Sequence, residues 1–185
     1  MRALFSILFF LISLENGYTQ KSVDSDMLKI FGYTFINIDP AYLYAGIDTG
    51  SLRVVKERLK GEKLAGDNPK NLMKRSEILV LSKSERQSLD SQLNLAQSYR
   101  WTKSLIEKCG VFQLQIVGED VFAQRHKILK NVYQIMQPIF IRDNTICFTF
   151  YYIYCPGLCG TGGILIHRKI KDKWSPWISV ARFDR

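Results

Sequence analysis

The chain has 185 residues, a length that suits one domain and allows a sizeable hydrophobic core. Its 26 basic and 17 acidic residues give a formal net charge of +9 at pH 7, which favours polyanionic partners. The basic residues are scattered without a dense block, so charge alone identifies no partner. For a chain outside the cytoplasm, which the N-terminal residues predict, such a charge favours anionic surface polymers or lipid headgroups over nucleic acid. An envelope protein or an anionic surface polymer is the expected partner class.

The N-terminal residues have the pattern of a secretory signal peptide. Met1 and Arg2 form a short positive start, and residues 3–14 (ALFSILFFLISL) are an uncharged apolar run. These 12 residues are too few to span a bilayer as a stable helix, but they suit the hydrophobic region of a signal peptide. A buried N-terminal helix is the alternative interpretation.

The small residues Gly17 and Thr19 place the expected cleavage after Thr19. Residues 1–19 are therefore predicted to be a signal peptide, and residues 20–185 to be a single α+β domain. No second long apolar run follows, so we expect no transmembrane segment after signal removal. The predicted location is the periplasm or the extracellular space.

Two amphipathic helices are predicted in the first half of the chain. Residues 49–63 place three apolar side chains on one side, with Ser51 as the expected cap and Gly61 near the end. The second helix begins with a capping box, Ser82-x-x-Glu85. The apolar positions of the two helices are Leu52, Val55 and Leu59 in the first, and Leu89, Leu93 and Ala96 in the second.

Between and after these helices lie short strands. Residues 64–74 are polar and predict a loop, residues 77–81 a short strand, and residues 111–117 a strand with alternating polarity. Residues 101–108 fit no single pattern.

The last third of the chain reads as an antiparallel meander. Asp143-Asn144 and Lys171-Asp172 are typical of tight turns, and Pro176 places the final strand at an edge or a bulge. The predicted fold class is α+β, with four to five C-terminal strands packed on one or two N-terminal helices. Residues 76–179 are its best-defined part. The predicted strands are residues 132–141, 145–154, 163–170 and 173–183.

The stretch Cys155-Pro-Gly-Leu-Cys159, followed by Gly160-Thr-Gly-Gly163, predicts a disulfide-stapled turn. Its spacing does not match a paired-cysteine zinc site, and no helix follows to support a thioredoxin-type centre. A phosphate loop also normally opens a helix. We therefore expect a Cys155–Cys159 disulfide and no metal. Cys147 and Cys109 are left with several possible pairings.

No pattern of residues predicts a catalytic centre or a cofactor site. Glu119, Asp120 and His167 are the candidate acid–base groups for an envelope hydrolase, and alternation places His167 at a sheet surface. Aromatic side chains beside basic ones suit recognition of sugars, peptides or protein surfaces. The candidate binding residues are Tyr151, Tyr152, Tyr154, His167, Arg168 and Trp174.

A set of spaced motifs in residues 76–179 resembles an uncharacterised family of small exported bacterial proteins, some of them lipoproteins. This chain departs from the family in Pro156, where a glycine commonly follows the first cysteine, and it lacks a lipobox. The resemblance implies the exported α+β architecture and no particular activity. The motifs are Tyr133-x4-Pro138-Ile-Phe140, Asp143-Asn-Thr-Ile-Cys147-Phe-x-Phe-Tyr-Tyr152, Cys155-Pro-Gly-Leu-Cys-Gly160-x-Gly162, Lys169-x3-Lys173-Trp174 and Trp177-Ile-Ser179, with Leu81-Ser-Lys-Ser-Glu85 and Trp101 upstream.

The sequence thus predicts an exported, non-catalytic binding or interaction domain of the cell envelope. The alternatives are an envelope hydrolase acting on peptide or glycan, and a thiol–disulfide redox protein using Cys155 and Cys159.

Overall fold

A computed structural model describes residues 30, 41–66, 77–108, 114–156 and 159–184. The predicted signal peptide lies outside these residues. The described strands are β1 (Ala41–Tyr44), β2 (Lys63–Ala65), β3 (Ile78–Val80), β4 (Leu114–Val117), β5 (Val132–Ile135), β6 (Ile139–Ile141), β7 (Ile146–Tyr154), β8 (Gly160–Ile170) and β9 (Lys173–Asp184). The described helices are α1 (Thr49–Leu59), α2 (Lys83–Ala96), α3 (Lys103–Lys108) and α4 (Glu119–Ala123), with a 3-10 helix at Arg125–Lys127.

Seven of the described strands form one mixed sheet in the order β4-β1-β5-β7-β8-β9, with β6 also paired to β7. Strands β5, β7, β8 and β9 pair antiparallel, which confirms the α+β class and the C-terminal meander. The parallel extension by β1 and β4 was not predicted. Strands β2 and β3 form a separate antiparallel pair.

The predicted strand at residues 132–141 is divided in two. Strand β5 pairs with the end of β7, and β6 pairs with its beginning. The break contains Pro138, which has no N–H to donate to a ladder. Just before it, the Met136 N–H donates to the carbonyl oxygen of Phe150 at 3.0 Å, which keeps the interrupted strand attached to β7.

The helices bury the residues that the sequence predicted, although the cap of α1 is different. Asp48, not Ser51, caps this helix: its Oδ1 accepts from the Ser51 backbone N–H at 3.0 Å. The predicted capping box of α2 is confirmed, with Ser82 Oγ accepting from the Glu85 N–H at 3.2 Å. The predicted loop at residues 64–74 is wrong at its start, because Leu64 lies in β2, and residues 67–74 are outside the described part of the chain.

Both faces of the main sheet are covered. The first face, which carries Phe148 and Phe150, packs against α1 and α2. On the second face, Trp101 and Ile106 pack over β1, β4 and β5. Cys147 also lies on the second face and is completely buried, so this face is covered even though alternation marked it as the less apolar one.

The turns of the meander match their predicted chemistry. Asp143 and Asn144 have φ values of 51° and 59°, and Lys171 and Asp172 have values of 48° and 61°. These residue pairs occupy the left-handed region that tight hairpins require. Pro176 lies in the edge strand β9, beside a register shift, as predicted.

Candidate functional site

The predicted Cys155–Cys159 disulfide is present and joins the end of β7 to the start of β8. The two Cα atoms are 5.4 Å apart, and the Cys155 N–H donates to the Cys159 carbonyl oxygen at 3.3 Å. The short covalent loop therefore holds the last residues of β7 beside the first residues of β8.

The glycines after the disulfide belong to strand β8 and make room for an aromatic ring. We predicted β8 to begin at Gly163, but it begins at Gly160. A Cβ atom on Gly160 would lie 2.5 Å from the Tyr152 hydroxyl oxygen, and one on Gly162 would lie 2.7 Å from Tyr152 Cδ2. These glycines are needed because the Tyr152 ring lies directly over them, a packing in which an aromatic side chain covers strand glycines.

Tyr154 extends this aromatic surface toward α4. Its ring centroid is 4.6 Å from that of Tyr152 and 5.3 Å from that of Phe122, the buried residue of α4. Phe122 in turn stacks on Tyr44 of β1 at 4.1 Å. Four aromatic rings from β1, α4 and β7 thus meet on the first face of the sheet.

Arg125 completes this cluster and was not singled out by the sequence. Its guanidinium carbon lies 4.4 Å from the centroid of the Phe122 ring and 4.6 Å from that of the Tyr154 ring. Its Nη1 donates to the Phe122 carbonyl oxygen at 3.0 Å. Sequence spacing gives no signal for this position, because Arg125 is one of several polar residues in a short irregular segment.

A polar network of Asp48, Ser51 and Gln134 contacts the hydroxyl of Tyr154. Gln134 of β5 is completely buried, and its Nε2 donates to Asp48 Oδ2 at 2.7 Å. The Ser51 hydroxyl lies 2.7 Å from the same carboxylate oxygen and 2.8 Å from Gln134 Oε1. The Ser51 hydroxyl has a single proton, which it donates to the charged Asp48 carboxylate rather than to the Gln134 amide oxygen. Gln134 Oε1 then accepts from the Tyr154 hydroxyl at 3.4 Å.

The electrostatics of this network keep Asp48 ionised and Tyr154 neutral. Burial raises the pKa of Asp48, but hydrogen bonds from Ser51 and Gln134 outweigh it and hold that pKa below its ordinary value. Burial, with the nearby Asp48 charge, raises the pKa of Tyr154. Asp48 therefore stays a carboxylate and Tyr154 stays a neutral hydroxyl, which positions both side chains rather than preparing them for proton transfer.

Residues 124–131, called here the basic segment, continue from α4 into β5. Lys127 and Lys130 are exposed, and the Lys130 ammonium lies 5.5 Å from the Tyr42 ring centroid. Leu129, between these lysines, is 90 % exposed. Tyr42, Val132 and Tyr154 are aligned across β1, β5 and β7, so the basic segment borders the same end of the sheet as Arg125.

The structure separates the six predicted binding residues. Tyr152 and Tyr154 share the first face, whereas Tyr151 points to the second face and packs with the cluster under α3. Arg168 lies over the Trp177 ring at 5.2 Å and pairs with Glu77 at 3.7 Å. Of the six residues, the structure brings Tyr152 and Tyr154 together, with ring centroids 4.6 Å apart.

Two of the predicted binding residues are buried. His167 is 3 % exposed, which corrects the prediction that it lies at a sheet surface, and Trp174 is also 3 % exposed. The His167 Nε2 lies 3.0 Å from Thr149 Oγ1. Alternation assigned the correct strand face to His167, but it did not show that this face is covered.

The possible acid–base groups are far apart. Glu119 and Asp120 occupy the first turn of α4, directly after edge strand β4, while His167 lies in β8. Four strand spacings of ~4.8 Å separate β4 from β8, or roughly 19 Å. The three groups are not assembled into one catalytic site.

In the described part of the chain, no group of three or more His, Cys, Asp or Glu side chains is arranged to hold a metal ion. The helices of that part are all too short or too polar to cross a membrane. Comparisons with protein-family models, with curated proteins and with solved structures found no match to this chain. The resemblance to small exported bacterial proteins thus stays a prediction.

Proposed function

We propose that the chain is an exported, non-catalytic binding domain that recognises an anionic partner through Arg125, Tyr152 and Tyr154, the recognition cluster. The observation that carries this proposal is the position of the Arg125 side chain and its contacts. Its guanidinium is held over two aromatic rings, and among the described residues it has no carboxylate partner.

An arginine fixed in this way is suited to bind an anion. The guanidinium has five N–H donors, and the single carbonyl contact uses only part of this capacity. Its planar fork matches carboxylate and phosphate groups, and stacking on aromatic rings limits its movement before a ligand arrives. Less side-chain freedom is then lost on binding, which raises affinity.

The disulfide and the glycines support the same proposal by positioning Tyr152. The Cys155–Cys159 bond holds the ends of β7 and β8 together, and Gly160 and Gly162 seat the tyrosine ring. The half-buried rings of Tyr152 and Tyr154 offer an apolar surface beside a cation. Export rests on the N-terminal sequence pattern, and the disulfide is consistent with an oxidising compartment.

The geometry favours neither alternative function. A hydrolase would need an acid–base pair in one accessible site, but Glu119 lies in α4, after edge strand β4, and the buried His167 lies four strands away in β8. A thiol–disulfide enzyme would need a thiol activated at a helix N-terminus or by a nearby cation, whereas Cys159 leads into β8.

The test compares Arg125→Gln with Arg58→Gln, which removes the same charge from the exposed last turn of α1. Binding to a soluble polyanion, polygalacturonate, and to anionic lipid vesicles is measured at low and physiological salt. We expect Arg125→Gln to weaken binding about tenfold, because a charged hydrogen bond contributes roughly 1.5 kcal/mol. Arg58→Gln should have a much smaller effect.

Two further variants separate the shape of Arg125 from its charge. Arg125→Lys keeps the charge but loses the planar fork, so it should bind less well than the parent protein. Tyr154→Leu removes the ring under the guanidinium and should also weaken binding. If neither probe binds, or if Arg125→Gln and Arg58→Gln behave alike, the proposal is wrong.

A further inference from the structure

The basic segment carries an apolar side chain in an unusual position. Leu129 is 90 % exposed, the highest value among the large apolar side chains in the described part of the chain. The next highest is Leu95, at 68 %. It is kept there by the packing of its neighbours, since Ile128 joins the cluster around Phe122 and Val132. Leu129 thus projects from a segment that is anchored on both sides.

Cations surround this leucine without compensating carboxylates in the segment itself. Lys127 and Lys130 flank Leu129, and Arg125 lies one turn earlier. Residues 124–131 contain no Asp or Glu, and no ion pair to these three cations occurs among the described residues. The nearest acidic residues in sequence are in the first turn of α4.

We infer that the basic segment docks on the surface of an anionic phospholipid bilayer. This inference rests on the proposed function and specifies the anionic partner. Lys127, Lys130 and Arg125 would contact headgroup phosphates, while Leu129 would enter the boundary between headgroups and acyl chains. Such a pairing of lysines with an exposed apolar side chain is typical of proteins that lie on a membrane surface.

The apolar side chain is what distinguishes a bilayer from a soluble polyanion. A carboxylated polysaccharide would satisfy the cations but would leave Leu129 in water. A bilayer surface satisfies both, and tyrosines such as Tyr42 and Tyr154 suit the interface because their rings are apolar and their hydroxyls polar. The charge and the exposed leucine therefore point to the same partner.

The test measures co-sedimentation of the protein with phosphatidylcholine vesicles, with and without phosphatidylglycerol. The parent protein should bind only the anionic vesicles. Leu129→Ser should weaken this binding about tenfold, as expected for losing one partly inserted leucine. Leu95→Ser, the matched control on α2, should bind like the parent. Lys127→Gln and Lys130→Gln should each weaken binding about fivefold.

Three results would overturn the inference: no binding of the parent to anionic vesicles, parent-like binding by Leu129→Ser, or equal losses in the Leu129 and Leu95 variants. Arg125-dependent binding to polygalacturonate, without vesicle binding, would refute the bilayer and leave the proposed function standing. Because Leu129 is exposed, its variant should keep the parental unfolding midpoint, which shows that any loss of binding is not a loss of fold.

Discussion

Acidification should destabilise this protein through His167, a buried histidine in strand β8. Its side chain is 3 % exposed and contacts the Thr149 hydroxyl at 3.0 Å. Burial lowers the pKa of His167 from 6.5 to about 4, because the charged imidazolium would lose its hydration. The folded protein therefore keeps a neutral imidazole over a pH range in which the unfolded chain binds a proton.

The sign and size of the effect follow from proton linkage. Below pH 6.5 the unfolded chain binds more protons at this site than the folded chain does, so stability falls as pH falls. The folded protein therefore has its full stability with respect to His167 above pH 6.5, and the loss of stability is nearly complete at about pH 4. A pKa change from 6.5 to about 4, at ~1.4 kcal/mol per pH unit, gives a loss of about 3 kcal/mol.

The assay is urea unfolding followed by tryptophan fluorescence at several pH values between 7 and 4. His167→Gln can keep a hydrogen bond to Thr149 but does not titrate, so its stability should depend less on pH than that of the parent. The difference between the two proteins should change by about 3 kcal/mol across this range. His126→Gln, which alters the exposed histidine, should follow the parent.

Carboxylate titration is common to all three proteins and cancels in the comparison. Glu85 is one such group: its hydrogen bond from Arg142 and that from the Ser82 N–H lower its pKa from 4.5 to about 2. The stability that the ionised Glu85 gives the folded protein is therefore lost only as the pH falls below 4.5. The reasoning about His167 is refuted if the parent and His167→Gln lose stability in parallel between pH 6.5 and pH 4.

Two further predictions concern stability and can be checked by the same unfolding assay. Gly162→Ala should cost about 2 kcal/mol or more, because the new methyl group would lie 2.5 Å from the Tyr151 carbonyl oxygen and 2.7 Å from Cδ2 of the Tyr152 ring. Gly66→Ala, with its nearest contact at 3.6 Å, should cost nothing. Equal effects of the two substitutions would contradict the close packing of β7 and the Tyr152 ring over Gly162. Ser82→Ala should cost about 1 kcal/mol by removing the capping box, whereas Ser91→Ala on the exposed side of α2 should be neutral or slightly stabilising. A neutral Ser82→Ala would show that the cap contributes nothing to α2.

Local features of the fold could be predicted because short stretches of chain encode them. Ser82 and Glu85 are three residues apart, so their capping box is visible in the sequence. The left-handed turn at Asp143-Asn144 depends on the residues that adopt it, and the Cys155–Cys159 disulfide closes over four positions. The alternation of β7 and β8 also assigned side chains to the correct faces.

The sequence named Tyr152 and Tyr154 as candidate binding residues, but only the tertiary structure brings Arg125 over Tyr154 and so assembles the recognition cluster. Asp48 and Gln134 are 86 positions apart, yet they share a hydrogen bond under Tyr154. Whether His167 is buried depends on what covers the second face, and period-two alternation contains no information about that cover.

The sequence by itself determined the α+β class, the capping box of α2, the hairpin turns and the disulfide, but it misassigned the cap of α1 and extended that helix to residue 63, whereas it ends at Leu59. The tertiary structure decided that β1 and β4 join the sheet, that Gly160 and Gly162 seat Tyr152, and that Arg125 lies over Tyr154. The physical reason is range: caps, turns and alternation arise from interactions within a few residues. The site arises where strands distant in sequence become neighbours, and this depends on the packing of the whole chain.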